Sequence, residues 1–399
     1  EIVWVLCRKI FFLKTPAKNF SRFGIIIPGN QTFLYFSQIM IIVHHFLFEW
    51  ESKVIYQWGN TVGSFFQGRT LLITGGSGFV GRNLIDRLQG SGATIYVIDK
   101  YDNGSLAKYP EVTFLQLDIS NFPDVKQAID QVKPNIIFHL ASIVTASRDL
   151  NLIDTMVEVN LRGTTNILRA IATLSGAVAA DSGTIADNSG TIAGNAGLEC
   201  MINFGTSEEY GNQEVRLDET LREEPASPYA ILKLTASRFC HWFSTMYRIP
   251  VTTVRPANLF GPGQPKDKFI PYIIENCLNH QRVDMTYGEQ KRNFIFIEDF
   301  IDAILLIAEK ERSLGQIYNI GSEDSVPLRE VVESIVAITR SRPVINFGAI
   351  PYRENEMMVF DLNIAKIKAL GWTPQYGLEE GLRRTVAYYQ SNQQGMNNE

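Results

Sequence analysis

The tightest constraint on this chain lies between residues 70 and 99. Thr70–Thr74 (Thr-Leu-Leu-Ile-Thr) is a short apolar run followed by glycines, the pattern of a strand buried on both faces. It runs into Gly75-Gly76-Ser77-Gly78-Phe79-Val80-Gly81. An amphipathic stretch, Arg82 to Gln89, then stops at Gly90, and a second strand, Thr94–Ile98, ends at Asp99. A strand, a glycine turn, a helix and a strand thus follow one another within about 30 residues, the length of one βαβ unit.

Glycines let a backbone turn tightly and approach a pyrophosphate, while a helix N-terminus offers free N–H groups and the positive end of its dipole. Asp99 lies 18 residues past Gly81, near the spacing at which an acid accepts hydrogen bonds from a ribose 2′-hydroxyl. A carboxylate there repels a 2′-phosphate, so NAD is expected rather than NADP. Glycines alone mark only a tight turn. Between two strands, with the acid on schedule, they predict a dinucleotide site formed by Gly75, Gly78, Phe79, Val80, Gly81 and Asp99.

The alternation continues. Val112–Leu117 reads as a strand ending at Asp118, the Asp124–Gln131 region as a helix and Ile136–Leu140 as a strand. Met156 to Leu174 reads as a long helix and Cys200–Phe204 as a strand. Strands separated by helices predict an α/β, Rossmann-type doubly wound parallel sheet, with ligands beyond the carboxyl ends of its strands. Catalytic candidates fall there. Thr206-Ser207-Glu208-Glu209 leaves the end of a strand, and Pro228 suits a helix start that puts Tyr229 and Lys233 on one helical face. A phenol is a poor base at neutral pH. A nearby ammonium and the positive nicotinamide of NAD would both stabilise the phenolate, making Tyr229 a usable base.

Two segments break the pattern. Residues 1–68 hold 15 of the 44 aromatics and carry a net charge of +3, against −8 for the remainder. The mostly apolar run Phe33–Phe48 is 16 residues long, short of the roughly 20 that span a bilayer. A signal peptide fits poorly too, because the apolar run comes late and no small-residue cleavage site follows. The segment reads as a peripheral addition. Ser175–Gly197 has no aromatic and no Lys or Arg, and repeats Ser-Gly-Thr-Ile-Ala at 182 and 189. Two copies are too few for a solenoid, so it reads as a flexible surface insertion. The expected organisation is therefore an atypical extension (1–68), a dinucleotide-binding domain (69–256, with the 175–197 insertion), an interleaved α/β substrate domain (257–390) and a polar tail (391–399).

Composition narrows the function classes. A net charge of −5 over 399 residues, with pI about 5.7, carries no basic footprint for nucleic acid. The four cysteines, at 7, 200, 240 and 277, form no Cys-x-x-Cys pair and no disulfide framework, which points to a reducing, cytoplasmic compartment. No metal site is expected.

Thr74-Gly-Gly-Ser-Gly-Phe-Val-Gly81, Asp118, His139-Leu-Ala-Ser142, Asn160-Leu-Arg-Gly-Thr164, Thr206 and Tyr229-x-x-x-Lys233 together resemble the extended short-chain dehydrogenase/reductase family. More narrowly, they resemble its NAD-dependent nucleotide-sugar epimerases and dehydratases. The likeness covers about 320 residues of the chain. It implies that Asp118, Ile119, Leu140, Ala141, Ser142 and Asn160 join the cofactor site. Tyr229 would be the base, Lys233 would hold the cofactor ribose and lower the Tyr229 pKa, and Thr206 would bond the same substrate oxygen. In Arg255-Pro-Ala-Asn258, Asn258 matches a ligand of the substrate diphosphate, as do Arg292 and Arg353. A homodimer built on the Met156 and Tyr229 helices is implied as well.

The resemblance leaves the chemistry after C4 oxidation open. Thr206-Ser207-Glu208 resembles the Thr-Ser-Glu of GDP-mannose-type dehydratases and UDP-glucuronate decarboxylases, so Glu208 and Ser207 join the catalytic candidates and 4,6-dehydration leads. Glucose-type dehydratases carry Asp where Ser207 stands, and simple 4-epimerases usually lack an acid at 208. A 4-keto-sugar reductase can carry the Glu-Glu-Tyr-Gly ending seen at 208–211. A non-catalytic NAD-binding module is the remaining alternative, opposed by the intact Thr206, Tyr229 and Lys233.

Overall fold

The computed structural model describes residues 63–102, 104–145, 149–177, 197–354 and 356–396. The extension expected over 1–68 thus lies outside the described residues except for its end, and so does most of the expected insertion. The folded body starts before Arg69. Phe66 is buried, and the Gly68 N–H donates to the Gly92 carbonyl at 2.9 Å.

Seven parallel strands form the main sheet. They are β1 (Thr70–Thr74), β2 (Thr94–Asp99), β3 (Thr113–Gln116), β4 (Ile136–His139), β5 (Cys200–Phe204), β6 (Val251–Pro256) and, much later, β10 (Ile317–Ile320). Their spatial order is β3-β2-β1-β4-β5-β6-β10. From β1 the chain winds outward to β3, then crosses back to β4 on the other side of β1, with Leu71 in register with both Ile95 and Ile136. The carboxyl ends of β1 and β4 therefore diverge at a switch point, where such sheets bind ligands. The inner strands are apolar throughout because helices cover both faces. On one face Leu72, Ile98, Ile137 and Met201 meet Val125, Ile129, Ile167 and Ile171. Each fully buried aliphatic side chain there contributes roughly 1.5–3 kcal/mol.

The helices obey local rules. α1 (Phe79–Leu88) starts at Gly78, and α2 (Phe122–Val132) has Pro123 and Asp124 in its first turn. Helix α3 begins at Ile153, earlier than its apolar periodicity predicts. It runs as Ile153–Met156, a π-helical stretch Val157–Gly163, and Thr164–Leu174. α4 (Pro228–Tyr247) is capped by Ser227, whose Oγ accepts the Ala230 N–H at 3.1 Å.

Beyond β6 lie a three-stranded sheet and a two-stranded one. β7 (Asn258–Phe260) pairs parallel with β9 (Lys291–Phe296), which pairs antiparallel with β11 (Ser325–Pro327). β8 (Val283–Met285) pairs with β12 (Ile345–Phe347). Helices α5 (Phe269–Leu278), α6 (Ile297–Glu309), α7 (Leu328–Thr339), α8 (Ala365–Leu370) and α9 (Leu378–Met396) complete this half. Asp299 receives the Gln375 and Tyr376 N–H groups and its carbonyl accepts Trp372 Nε1, tying the closing segment to α6. The expected polar tail is largely helix: α9 runs through Met396, since its Ser, Asn and Gln residues tolerate a helix and no proline stops it.

Candidate active site

At the end of β1, Gly75 has φ +72°, and a Cβ there would lie 2.7 Å from the Ala141 nitrogen. One at Gly81 would lie 2.5 Å from Gly76 Cα and O. Only glycine lets the turn press onto the end of β4 and α1 press onto the turn. At Gly78, by contrast, a Cβ would meet only the Gly75 carbonyl oxygen, at 3.2 Å. No side chain caps α1 there, so its N–H groups face the switch point unobstructed. Asp99, at the end of β2, accepts the Ser77 N–H at 3.3 Å and the Ser77 hydroxyl, which fixes the acid beside the glycine turn. This cradle fits a dinucleotide pyrophosphate with its ribose at Asp99.

Asp118 and Ile119 follow β3. Burial raises the Asp118 carboxyl, but Lys100, at 2.8 Å, and the Ser120 N–H outweigh it and hold the pKa below the usual value. A Cβ at Gly163 would strike Ile119 at 2.4 Å, so the π stretch of α3 lies hard against this strand end. The same stretch carries Asn160, whose side chain accepts the Ile143 N–H at 2.7 Å and donates to the Ile143 carbonyl at 3.0 Å. It thereby pins the Leu140–Ser142 loop from below. His139 is buried between the Thr74 and Thr164 hydroxyls at 2.7 and 2.9 Å. Burial, with help from Lys233, lowers its pKa to about 3, so it stays neutral.

The chain leaves β5 through Gly205 and turns at Thr206, the cap of a short 3₁₀ turn, Ser207–Tyr210. Tyr229, in the first turn of α4, lies beside Thr206, whose hydroxyl favours its phenolate, and Lys233 lies one turn on, 5% exposed. Burial foremost, then the charge of Glu208, holds the Tyr229 pKa above its ordinary value, against the help of Thr206. Burial also brings Lys233 down to about 8, although Glu209 and Cys240 favour its charge. The bare site therefore keeps the phenol protonated, contrary to the lowering expected from Lys233. The cause is desolvation, which acts against phenolate and ammonium alike.

Glu208, in the turn after β5, is exposed. Its side chain is reachable by solvent yet crowded by protein, and crowding decides its acidity because it removes most of the water that would stabilise a carboxylate. Burial raises its pKa and Arg292 partly opposes this. The Ser207 Oγ donates at 2.6 Å to the Pro256 carbonyl. Its hydroxyl proton is thereby turned toward the backbone. In the second half, Asn258 donates to the Asn293 carbonyl at 3.0 Å. Arg292 reaches the Met357 carbonyl at 2.7 Å and pairs with Glu356. Arg353 is exposed and opens the turn that the Glu356 N–H closes on the Arg353 carbonyl at 3.1 Å. Glu356 thus pairs by its side chain with Arg292 and by its backbone N–H with the Arg353 carbonyl.

The profile of the NAD-dependent epimerase/dehydratase family matches residues 71–321. The chain belongs to that family. It is therefore an NAD-dependent enzyme of the epimerase/dehydratase type. Among curated relatives it resembles dTDP-D-glucose 4,6-dehydratase of Mus musculus, 28% identical over 83% of this chain and 90% of that one. Among solved structures it resembles UDP-glucose 4-epimerase of Thermotoga maritima (TM-score 0.70, 24% identity, 81% of this chain and 99% of that one). It also resembles dTDP-glucose 4,6-dehydratase of Bacillus anthracis (TM-score 0.69, 23% identity, 82% and 98%).

The family motifs seen in the sequence converge at the carboxyl ends of β1–β5. What sequence reasoning missed lies behind them. Glu209 is fully buried against Arg255, itself fully buried, which also pairs with Glu223 at 2.7 Å. The sole sequence signal was a second acid after Glu208, and a charge in a polar turn reads as solvent-facing. Among the described residues no group of three His, Cys, Asp or Glu could hold a metal, and no helix is long and apolar enough to cross a membrane.

Proposed function

We propose that this enzyme catalyses 4,6-dehydration of a hexose carried on a nucleoside diphosphate. The observation that carries this reading is Glu208, a carboxyl with a raised pKa that acts electrostatically on both the base Tyr229 and Arg292. A group poised between acid and base can take a proton from carbon and hand it on. Tyr229, beside Thr206, takes the C4 hydroxyl proton, and Lys233 favours the phenolate once its own charge is retained. NAD, held at the Gly75–Gly81 turn and Asp99, would supply the hydride acceptor for C4 and the hydride donor for C6. The C4 ketone acidifies C5–H, Glu208 removes that proton and passes it to the departing C6 hydroxyl, and water leaves. The proton then added at C5 is balanced by the one that Tyr229 took from the C4 hydroxyl, so the net change is loss of one water. Arg292, Asn258 and Arg353 are assigned to the diphosphate, where guanidinium forks match phosphate oxygens.

A 4-epimerase is the second reading, favoured by Ser207: its hydroxyl donates to the Pro256 carbonyl, and position 207 carries no carboxylic acid to expel water. Exposed Ile231, Phe239, Trp242 and Met246 along α4 support a homodimer, and free, buried Cys200, Cys240 and Cys277 support a reducing, cytoplasmic setting.

The test is product mass and proton NMR with UDP-, dTDP-, GDP- and CDP-hexoses plus NAD. Loss of water with a new C6 methyl signal is expected, and Glu208→Gln should then stop after C4 oxidation. An isobaric C4-inverted product would replace this reading with the epimerase. NADH consumption on a 4-keto sugar alone would replace it with a reductase. Tyr229→Phe should abolish turnover while NAD affinity stays nearly unchanged; surviving activity would remove Tyr229 as the base.

A further inference from the structure

The turn that presents Thr206 and Glu208 is built around a charge that faces neither solvent nor substrate. Glu209 Oε1 accepts the Thr206 N–H at 2.9 Å and the Ser237 hydroxyl at 3.1 Å. Its Oε2 accepts Arg255 Nε at 2.9 Å and Nη2 at 2.8 Å. Both side chains are 0% exposed. Gly205 makes the room: a Cβ there would sit 2.4 Å from Glu209 Oε1. A buried ion pair is a costly way to hold a turn, since well-packed apolar side chains of similar volume often serve as well or better. A function that needs the charge explains its placement.

That function is visible in what surrounds it. Ser237 is on the same helix as Tyr229 and Lys233, so one carboxylate oxygen joins the backbone of Thr206 to α4, and Thr206 in turn lies beside Tyr229. Lys233 is buried, and the charge of Glu209 on the turn favours its ammonium, with Cys240 of its own helix adding to this; His139, at the end of β4, stays neutral. Glu209 is the one full negative charge in that set, whereas Tyr229 feels Glu208 first and Glu209 more weakly. Arg255 shares its fork with Glu223, which Arg238 also holds, so the arrangement is braced from the far side.

We propose that Glu209 is a positioning residue for the reaction: clamped by Arg255, its carboxylate fixes Thr206 against Tyr229 and supplies the buried countercharge to Lys233. The inference rests on the roles given above to Tyr229 and Lys233, and it extends them one layer inward.

Two variants of the full-length, NAD-bound protein test it. Glu209→Gln keeps an acceptor for Thr206 and Ser237 but removes the charge. The Lys233 titration, followed by NMR of labelled lysine side chains, should fall by at least about one pH unit, and the alkaline limb of kcat should fall with it. Glu209→Val combined with Arg255→Met removes both charges without leaving either unpaired, and Glu223 keeps Arg238. This double variant should fold with near wild-type thermal stability yet lose at least about 100-fold in kcat. Wild-type turnover in the double variant, or an unmoved Lys233 titration in Glu209→Gln, would overturn the proposal. The NMR titration needs no substrate. If the wild-type chain were inert on every nucleotide sugar, the functional reading would fail while the titration still decided the role of Glu209.

Discussion

Replacing Lys233 by Met should make the protein more stable and inactive. In the unfolded chain the lysine titrates near 10.5, and in the folded site near 8. Below about 8 both states hold the proton, and the fold bears the full penalty of a desolvated ammonium. Between about 8 and 10.5 the folded state has released its proton while the unfolded chain still holds it, so wild-type stability rises with pH across that window. Above 10.5 both are neutral and the penalty is gone. The gap corresponds to about 3 kcal/mol at 1.36 kcal/mol per pH unit. Met has a similar length and no charge, so at pH 7 the variant should be more stable by up to that amount. With an unfolding entropy of roughly 2.1 cal/mol/K per residue, this is about 4 °C in Tm. The assay is thermal and urea unfolding of cofactor-free protein from pH 6 to 11, because bound NAD would stabilise the wild type by mass action and mask the effect. The advantage of the variant should shrink as pH rises through the window. A wild type as stable as the variant at pH 7, or a difference independent of pH, would refute the argument that Lys233 is held against its solvation for the sake of chemistry.

The remaining predictions concern the two ends of the cleft. Gly75→Ala forces a residue with φ +72° to carry a Cβ at 2.7 Å from the Ala141 nitrogen. It should cost about 1–2 kcal/mol in conformation alone and weaken NAD binding at least about tenfold by isothermal titration. Arg292→Met, with Glu356 left unpaired, should raise KM for the nucleotide sugar while the Kd for NAD stays put; an unchanged KM would remove Arg292 from the diphosphate site.

Much of the architecture was legible because its causes are local. A strand buried on both faces has to be apolar along its whole length, so β1, β2, β4 and β5 stand out as runs. Gly75 and Gly81 announce a close approach that no other residue permits, and Ser227-Pro228 announces a helix start that puts Tyr229 and Lys233 on one face. Element ends were less legible. α3 starts early and passes through a π turn at Asn160, and the hydrogen bonds from Asn160 to Ile143 that accompany it depend on a loop 17 residues away. Residues 391–396 of the expected polar tail are helix, because composition records polarity and says little about backbone state.

Side-chain commitments were beyond reading. Ser207 looked like part of a catalytic string, and only the packing of β6 against the turn shows its proton turned toward Pro256. Glu209 stood in the same polar string, and nothing local shows that Arg255, 46 residues on, pairs with it. The Tyr229–Lys233 pair was recognisable by spacing, but its acidity is set by how much water the surrounding elements exclude. The sequence by itself determined the order of strands and helices, the glycine cradle and the chemical types at each strand end, since these follow from local sterics and periodicity. Which polar groups reach the substrate, and which are consumed in holding others, was decided only by the tertiary structure, because desolvation and hydrogen-bond partnership arise between segments far apart in the chain.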